Sequence, residues 1–337
     1  MLYIGLDVHW KTTTCCVLND AGRVMQTRTL RGPWERAVTD LRSLGQDLAV
    51  CFEASVGYGP LHEALSAFCR RVQVAHPGHL RLIFRSKRKN DRVDAQKLAK
   101  LLYLDEVPAV HVPSVDVRAW RELIEFRRRS IDKRTKVKNQ LRCLLRAYAM
   151  HKPREVGGLW TKAGLAWLSG VELPTATARI KRELLLEELT HLQAQVGRVT
   201  AELDRIGAEH PGVALLQTIP GVGPRTAEVF IAYVDDPKRF ARNNRVPSYF
   251  GLVPSQDASA GVNRLGHITK RGPATARKLL VEASWQMIRR DPATREYFDR
   301  LVAGKPERRK SALVATAHRL VRIMHAMLSS GEVYRSG

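Results

Sequence analysis

Four carboxylates in this 337-residue chain stand where a protein can make chemistry out of acids. Asp7 lies in the apolar run Ile4-Gly5-Leu6-Asp7-Val8, Glu53 closes Ala49-Val50-Cys51-Phe52-Glu53, and Asp91 and Asp94 are three apart. On a helix, that spacing puts two side chains on one face with Cβ atoms about 5–6 Å apart. A buried carboxylate is unfavourable unless it is paired or bound to a cation. Four brought together without counter-charge would repel one another strongly. A pair of Mg²⁺ ions ~3.5–4 Å apart, with Mn²⁺ as a substitute, offsets that repulsion and suits phosphodiester cleavage. One ion activates the attacking oxygen while the other stabilises the leaving oxygen. Asp7, Glu53, Asp91 and Asp94 are thus the expected metal ligands and catalytic acids. Singly, each has a plainer explanation: a turn cap for Asp7, a dipole-favoured first-turn acid for Asp91, and an answer to Arg92 or Lys97 for Asp94. Their combination at strand ends and a helix start carries the functional reading.

The surroundings agree with it. Arg81, Arg85, Lys87, Arg88, Lys89 and Arg92 crowd the approach to Asp91, and cations beside a metal–carboxylate site suit a polyphosphate substrate. A merely solvated basic face is the alternative. The whole chain has 56 Lys plus Arg against 33 Asp plus Glu, a formal charge of +23. That balance favours a polyanion, most simply nucleic acid, without separating DNA from RNA. With 44% hydrophobic and 26% charged residues the composition is globular, which excludes wholesale disorder. No run approaches the ~18 apolar residues of a membrane span. The start, Met1-Leu-Tyr-Ile-Gly-Leu-Asp7, sets a charge where a secretory signal would stay hydrophobic, so none is expected. Five cysteines without Cys-x-x-Cys spacing predict a reduced, cytoplasmic chain without zinc.

The elements that must position the acids follow from period and punctuation. Strands are expected over 2–8, 12–18 and 23–30, an antiparallel meander whose second turn is Asn19-Asp20-Ala21-Gly22. A helix over 34–44, a strand over 47–52, a helix over 61–71, a strand over 72–75 and a helix over 91–104 complete an α/β region in the order β-β-β-α-β-α-β-α. Residues 115–150 lack Pro and Gly and read as one long, basic helix. Beyond a Gly/Pro-rich stretch, Leu185, Leu189, Leu192, Val196, Val199, Leu203 and Ile206 recur in steps of four and three. That is a heptad seam, read as coiled-coil pairing, with one helix of a local bundle as the alternative. The remainder, from 213 on, is expected to be mainly helical with Gly-rich and basic turns.

Two features of the last third can meet a nucleic acid. In Thr218-Ile-Pro-Gly221-Val-Gly223-Pro-Arg225-Thr-Ala227 a glycine turn opens a helix. Its free N–H groups and positive helix end can hold a phosphate without reading sequence; a plain helix–helix turn is the alternative. Further on, a Gly251-Leu-Val-Pro254 turn leads through a small loop to Arg264, His267, Lys270 and Arg271, all available as phosphate binders. His267 reads as a phosphate contact or a surface residue rather than as a general base.

Gly5-Leu6-Asp7, Phe52-Glu53-Ala54 and Asn90-Asp91-Arg92-Val93-Asp94-Ala95, with the Gly-Leu-Val-Pro and Thr-Lys-Arg-Gly turns, together resemble the DEDD (RuvC-like) insertion-sequence transposases. That family includes the Piv-type DNA invertases and the bridge-RNA-guided recombinases. The resemblance spans nearly the whole chain. It implies an α/β ribonuclease-H-like metal-binding domain over 1–112, long helices and a coiled coil over 113–210, and a mainly α transposase domain over 211–337. It also implies a serine nucleophile, which alignment outward from Gly251-Leu252 and Gly266 places on Ser259, with Ser255 in the same loop. A serine hydroxyl needs a base, a metal or a cationic surround before it attacks, and the resemblance implies a composite site assembled between protomers. Implied further are donor and target DNA, a guide RNA, and a transient phosphoserine link. The heptad seam predicts a dimer, and recombination of two duplexes predicts a tetramer. Two other readings remain open at this point: a RuvC-type junction-resolving nuclease using metal-activated water, and a non-catalytic nucleic-acid-binding coiled-coil protein.

Overall fold

The computed structural model describes residues 1–45, 47–55, 57–83, 90–259 and 262–336, with residues 258, 259, 262 and 263 described by backbone alone. The expected phosphate binders Arg85, Lys87, Arg88 and Lys89 lie outside the described residues. The chain forms two compact units, Met1–Val115 and Asp116–Gly337.

The N-terminal unit runs β1 (Leu2–Val8), β2 (Thr12–Leu18), β3 (Val24–Arg31), α1 (Glu35–Arg42), β4 (Leu48–Glu53), α2 (Tyr58–Ser66), β5 (Arg71–Ala75), α3 (Pro77–Ile83) and α4 (Asp91–Tyr103). Its five-stranded sheet has the order β3-β2-β1-β4-β5, antiparallel on the β2 and β3 side and parallel from β1 through β4 to β5. Successive strand side chains point to opposite faces, and the core follows that parity. Leu2, Ile4, Leu6, Leu48, Val50 and Phe52 pack with residues of α1 and α2 on one face. Ala49 and Cys51 pack with Leu98, Leu101 and Leu102 of α4 on the other. Asp7 and Glu53 have the parity of the α4 face. Because Leu6 pairs with Phe52 in the parallel β1–β4 ladder, the two acids follow side by side on neighbouring strands.

Helix α4 is placed by two devices. The Asn90 side chain accepts a hydrogen bond from Arg92 N at 3.0 Å and caps its start. At Gly5 the helix lies directly on the strand: a Cβ there would sit 2.0 Å from Ala95 O and 2.5 Å from Ala99 N. Only a residue without a side chain permits that approach.

The C-terminal unit contains α5 (Val115–Ala147, beginning at the unit boundary), α6 (Lys162–Gly170), α7 (Ala176–Glu209), α8 (Pro211–Leu216), α9 (Pro224–Val234), α10 (Arg245–Tyr249), β6 (Pro254–Ser259), β7 (Val262–Ile268), α11 (Ala274–Arg290), α12 (Pro292–Val302) and α13 (Arg309–Ser330). Helices α5 and α7 run antiparallel, tied by Arg127 Nε to Thr200 Oγ1 at 2.8 Å and Ser130 Oγ to Gln195 Oε1 at 3.1 Å. The heptad residues Leu185, Leu189 and Leu192 are buried with Val137, Leu141 and Leu145 of α5. Val199 and Leu203 join Trp120, Ile124 and residues of α9, α11 and α13. The seam is therefore covered within the chain, and the heptad pattern by itself calls for no second copy.

The segment after Gly251, expected as a loop, is a two-stranded antiparallel ribbon with Ala258 opposite Asn263 and Ser259 opposite Val262. Its base is held by backbone packed on backbone. Gly251 (φ 66°) and Gly272 (φ 71°) would each drive a Cβ to 2.3 Å or less of a carbonyl oxygen, of Arg271 and Tyr249 respectively. This explains both glycine turns physically.

One buried acid sets a pH dependence for this unit. Glu228 on α9 is 1% exposed, with Arg225 Nη2 2.9 Å from its Oε1, and neither carboxylate oxygen accepts a well-aligned hydrogen bond among the described residues. Burial pushes the carboxyl up to about 7, against the pull of Arg225. A raised acid pKa stabilises the fold fully below the unfolded value near 4.5, and that stabilisation is lost as pH rises through 7. The loss is about 3 kcal/mol at most. Glu228→Gln is expected to remove this term. Denaturant melts from pH 4.5 to 8 should show the variant gaining on the wild type as pH rises. A constant difference across that range would refute the assignment.

Candidate metal centre

Asp7, at the carboxyl end of β1, faces the first turn of α4. His9, the residue after β1, lies on the same side as Asp7. His9 Nε2 lies 3.3 Å from Asp7 Oδ2 and 3.8 Å from Asp91 Oδ1. One ligand atom from each of Asp7, His9 and Asp91 falls within 4.8 Å of the others, so the three can hold one metal ion. Asp94, one turn along α4, adds its charge to the group and is held by Lys97 Nζ at 3.2 Å.

The electrostatics fit a cation. Burial raises the Asp7 carboxyl above its ordinary range, and the like charges of Asp91 and Asp94 push the same way against His9. A group that resists ionisation because other acids face it is relieved by a divalent ion. Oxygen donors with one imidazole suit Mg²⁺ or Mn²⁺, the imidazole leaning toward Mn²⁺.

Of the four expected acids, the structure brings Asp7, Asp91 and Asp94 into one electrostatic cluster and sets Glu53 on the adjoining strand, exposed, on the same sheet face. The sequence reading missed His9. The available signal was the i, i+2 relation of Asp7-Val8-His9 at a strand end, but its partner Asp91 is distant in sequence.

The expected phosphate contacts lie as follows. Arg92 is exposed on the first turn of α4. Gly221 (φ 94°) is pressed against α11, where a Cβ would meet Met287 N at 2.7 Å, and Gly223 caps α9. Arg225 is turned inward to Asp204 and Glu228. Arg264 on β7, with Lys270 and Arg271 after it, is exposed. Ser259 is described by its backbone, at the far end of β6. A further basic groove of about 450 Å³ at the end of α5 is lined by Arg142, Arg146, His151 and Lys152. None of the four is ion-paired with a carboxylate among the described residues.

An acidic cluster able to hold a metal, on a mixed sheet in a chain of charge +23, is an arrangement chemically suited to a phosphodiester substrate. Comparison with known proteins narrows that reading. Residues 213–299 match the Transposase IS116/IS110/IS902 family, and residues 4–150 match the DEDD transposase model of IS110 type. The transposase for insertion sequence element IS1111A of Coxiella burnetii is 28% identical over 99% of this chain and 91% of its own length. A probable family 20 transposase of Pseudomonas aeruginosa is 28% identical over 74% of this chain and 75% of its own. The transposase for insertion sequence element IS1328 of Yersinia enterocolitica is 26% identical over 86% and 88%. The chain belongs to the IS110/IS116/IS902 family of insertion-sequence transposases, whose activity is the cutting and rejoining of DNA. No helix among the described residues is long and apolar enough to cross a membrane.

Proposed function

We propose that this transposase moves its element with the acidic cluster of the N-terminal unit as a metal centre and Ser259 as nucleophile. The observation that carries the reading is the convergence of Asp7, His9 and Asp91, with Asp94 beside them. Asp7, Glu53, Asp91 and Asp94 would hold Mg²⁺, and His9 fixes the orientation of Asp7 and Asp91. A divalent cation bound there neutralises phosphate charge and favours the ionised form of an attacking hydroxyl. The strand order β3-β2-β1-β4-β5, antiparallel on one side and parallel on the other, supports a ribonuclease-H-like fold for this unit.

In the proposed step Ser259 Oγ attacks a DNA phosphorus. A serine–phosphate bond forms, the bond to the leaving deoxyribose oxygen breaks, and the serine proton ends on that oxygen. Attack by a new strand's hydroxyl reverses the step, so the bond energy is conserved and rejoining needs no ATP. Arg264, Lys270 and Arg271, exposed around the ribbon, bind the phosphate backbone. The basic side chains at the end of α5, none ion-paired with a carboxylate among the described residues, support a second polyanion beside the DNA strand, in this reading the guide RNA. Two duplexes engaged at once require more than one protomer, a dimer in the first instance and a tetramer on DNA.

The test is to incubate the purified protein with Mg²⁺, its co-purifying RNA and the DNA flanking its gene, and then to denature. A covalent protein–DNA adduct, lost in Ser259→Ala, is expected. Cut DNA without an adduct, still produced by Ser259→Ala, would overturn the serine step in favour of a nuclease using activated water.

A further inference from the structure

Beside the metal centre the structure holds a feature that the cutting reaction does not use. A cavity of about 790 Å³ opens where β1 turns into β2, lined by Val8, His9, Trp10, Lys11, Pro33 and Trp34 among others. Its volume is that of a small-ligand site. Trp10 is 91% exposed, the most exposed large hydrophobic side chain among the described residues. Its ring has no aromatic or cationic partner among the described residues, whereas Trp120, Trp160 and Trp285 each face one.

The exposure does not come from a loose tip. His9 N donates to Thr12 O at 2.8 Å, closing the turn beneath Trp10, and Gly32 N donates to Lys11 O at 2.8 Å, bracing the turn against the end of β3. A rigid turn thus presents a bare indole to water, one residue from the imidazole that faces Asp7 and Asp91. Trp34 forms part of the opposite wall, half-buried against the sheet core. Indole faces stack with any nucleobase, and such stacking is tolerant of sequence.

We propose that this cavity receives an unstacked nucleobase of the strand whose phosphate lies at the Asp7–His9–Asp91 cluster, stacked on Trp10. The inference rests on the DNA-processing reading and deepens it. His9 belongs to both sites, so a phosphate held at the cluster brings its neighbouring base within one nucleotide of the indole. Lys11, at the same rim, suits the adjoining phosphate. The site would hold a strand open beside the cut without selecting its sequence.

The test is a binding measurement, independent of cutting. Fluorescence anisotropy with the full chain, in Ca²⁺, compares a labelled oligothymidylate with an abasic oligomer of the same length. The wild type is expected to prefer the base-bearing strand by about tenfold, within the range of one stacked base. Trp10→Ala should bring that ratio close to one while leaving abasic affinity unchanged, and Trp10→Phe should keep most of it. Because Trp10 is almost wholly exposed, its melting point should not move. A ratio preserved in Trp10→Ala, or no preference in the wild type, would overturn the proposal. Failure of the serine adduct with this stacking signal intact would count against the nucleophile alone.

Discussion

Asp91→Asn is expected to abolish strand cutting, by at least about a hundredfold, while leaving DNA affinity unchanged. Asp91, on the first turn of α4, completes the ligand group formed with Asp7 and His9, and charged ligands set the affinity of hard cations. The amide retains the shape and loses the charge. Its loss also removes one of the like charges that hold Asp7 up, so in metal-free protein the Asp7 carboxyl ionises at lower pH. The substitution is therefore expected to relieve repulsion without metal and to forfeit binding with it, the sign expected where function is held against stability. Titration calorimetry with Mn²⁺ reads the second effect directly, and wild-type-like affinity in Asp91→Asn would remove Asp91 from the centre. DNA affinity should survive because the exposed cations Arg92, Arg264, Lys270 and Arg271 are untouched.

What could be read from the residues divides along physical lines. The strands over 2–8 and 12–18 and the start of α4 at Asp91 are found where expected, because an apolar run ended by turn residues and helical spacing are local signals. Helix α3, Pro77–Ile83, was not expected: the His76-Pro77-Gly78 run reads as a break, yet Pro is tolerated in a helix's first turn. The ribbon of β6 and β7 reads as loop in the sequence because its strands are polar and exposed on most described positions. It lacks the alternation that marks a half-buried strand. The seam of α7 shows a further limit: a heptad pattern records that a helix is covered on one side, not whether the covering helix belongs to the same chain. For the acids, residue type and the strand-end and helix-start context give Asp7, Glu53, Asp91 and Asp94 as expectations, of which Asp7, Asp91 and Asp94 lie in one electrostatic cluster. His9 needed three dimensions, because nothing in Asp7-Val8-His9 reveals that Asp91 closes over it.

Gly5→Ala is expected to destabilise the N-terminal unit more than any other single-methyl change in it, and to disable the metal centre in whatever protein still folds. The added Cβ would lie 2.0 Å from Ala95 O, 2.5 Å from Ala99 N and 3.0 Å from Leu98 Cβ. The two nearest atoms are backbone of α4, so no side-chain rotation makes room and the helix itself must lift. Overpacking of this kind destabilises by roughly 1–3 kcal/mol, and more where backbone has to move. The helix carries Asp91 and Asp94 at its first turn, so a shift that relieves Ala95 also draws both acids away from Asp7. A displacement of about 1 Å is already large for a ligand set. Soluble yield and denaturant melts read the first consequence, and Mn²⁺ affinity of the surviving folded fraction reads the second. Leu98→Gly, which removes the Leu98 Cβ, placed behind Gly5→Ala separates this account from ordinary crowding. If side-chain volume were the obstacle, that trimming would restore both stability and metal affinity. If the obstacle is the backbone of α4, the double variant stays as impaired as Gly5→Ala or worsens, since buried Leu98 also packs against the sheet.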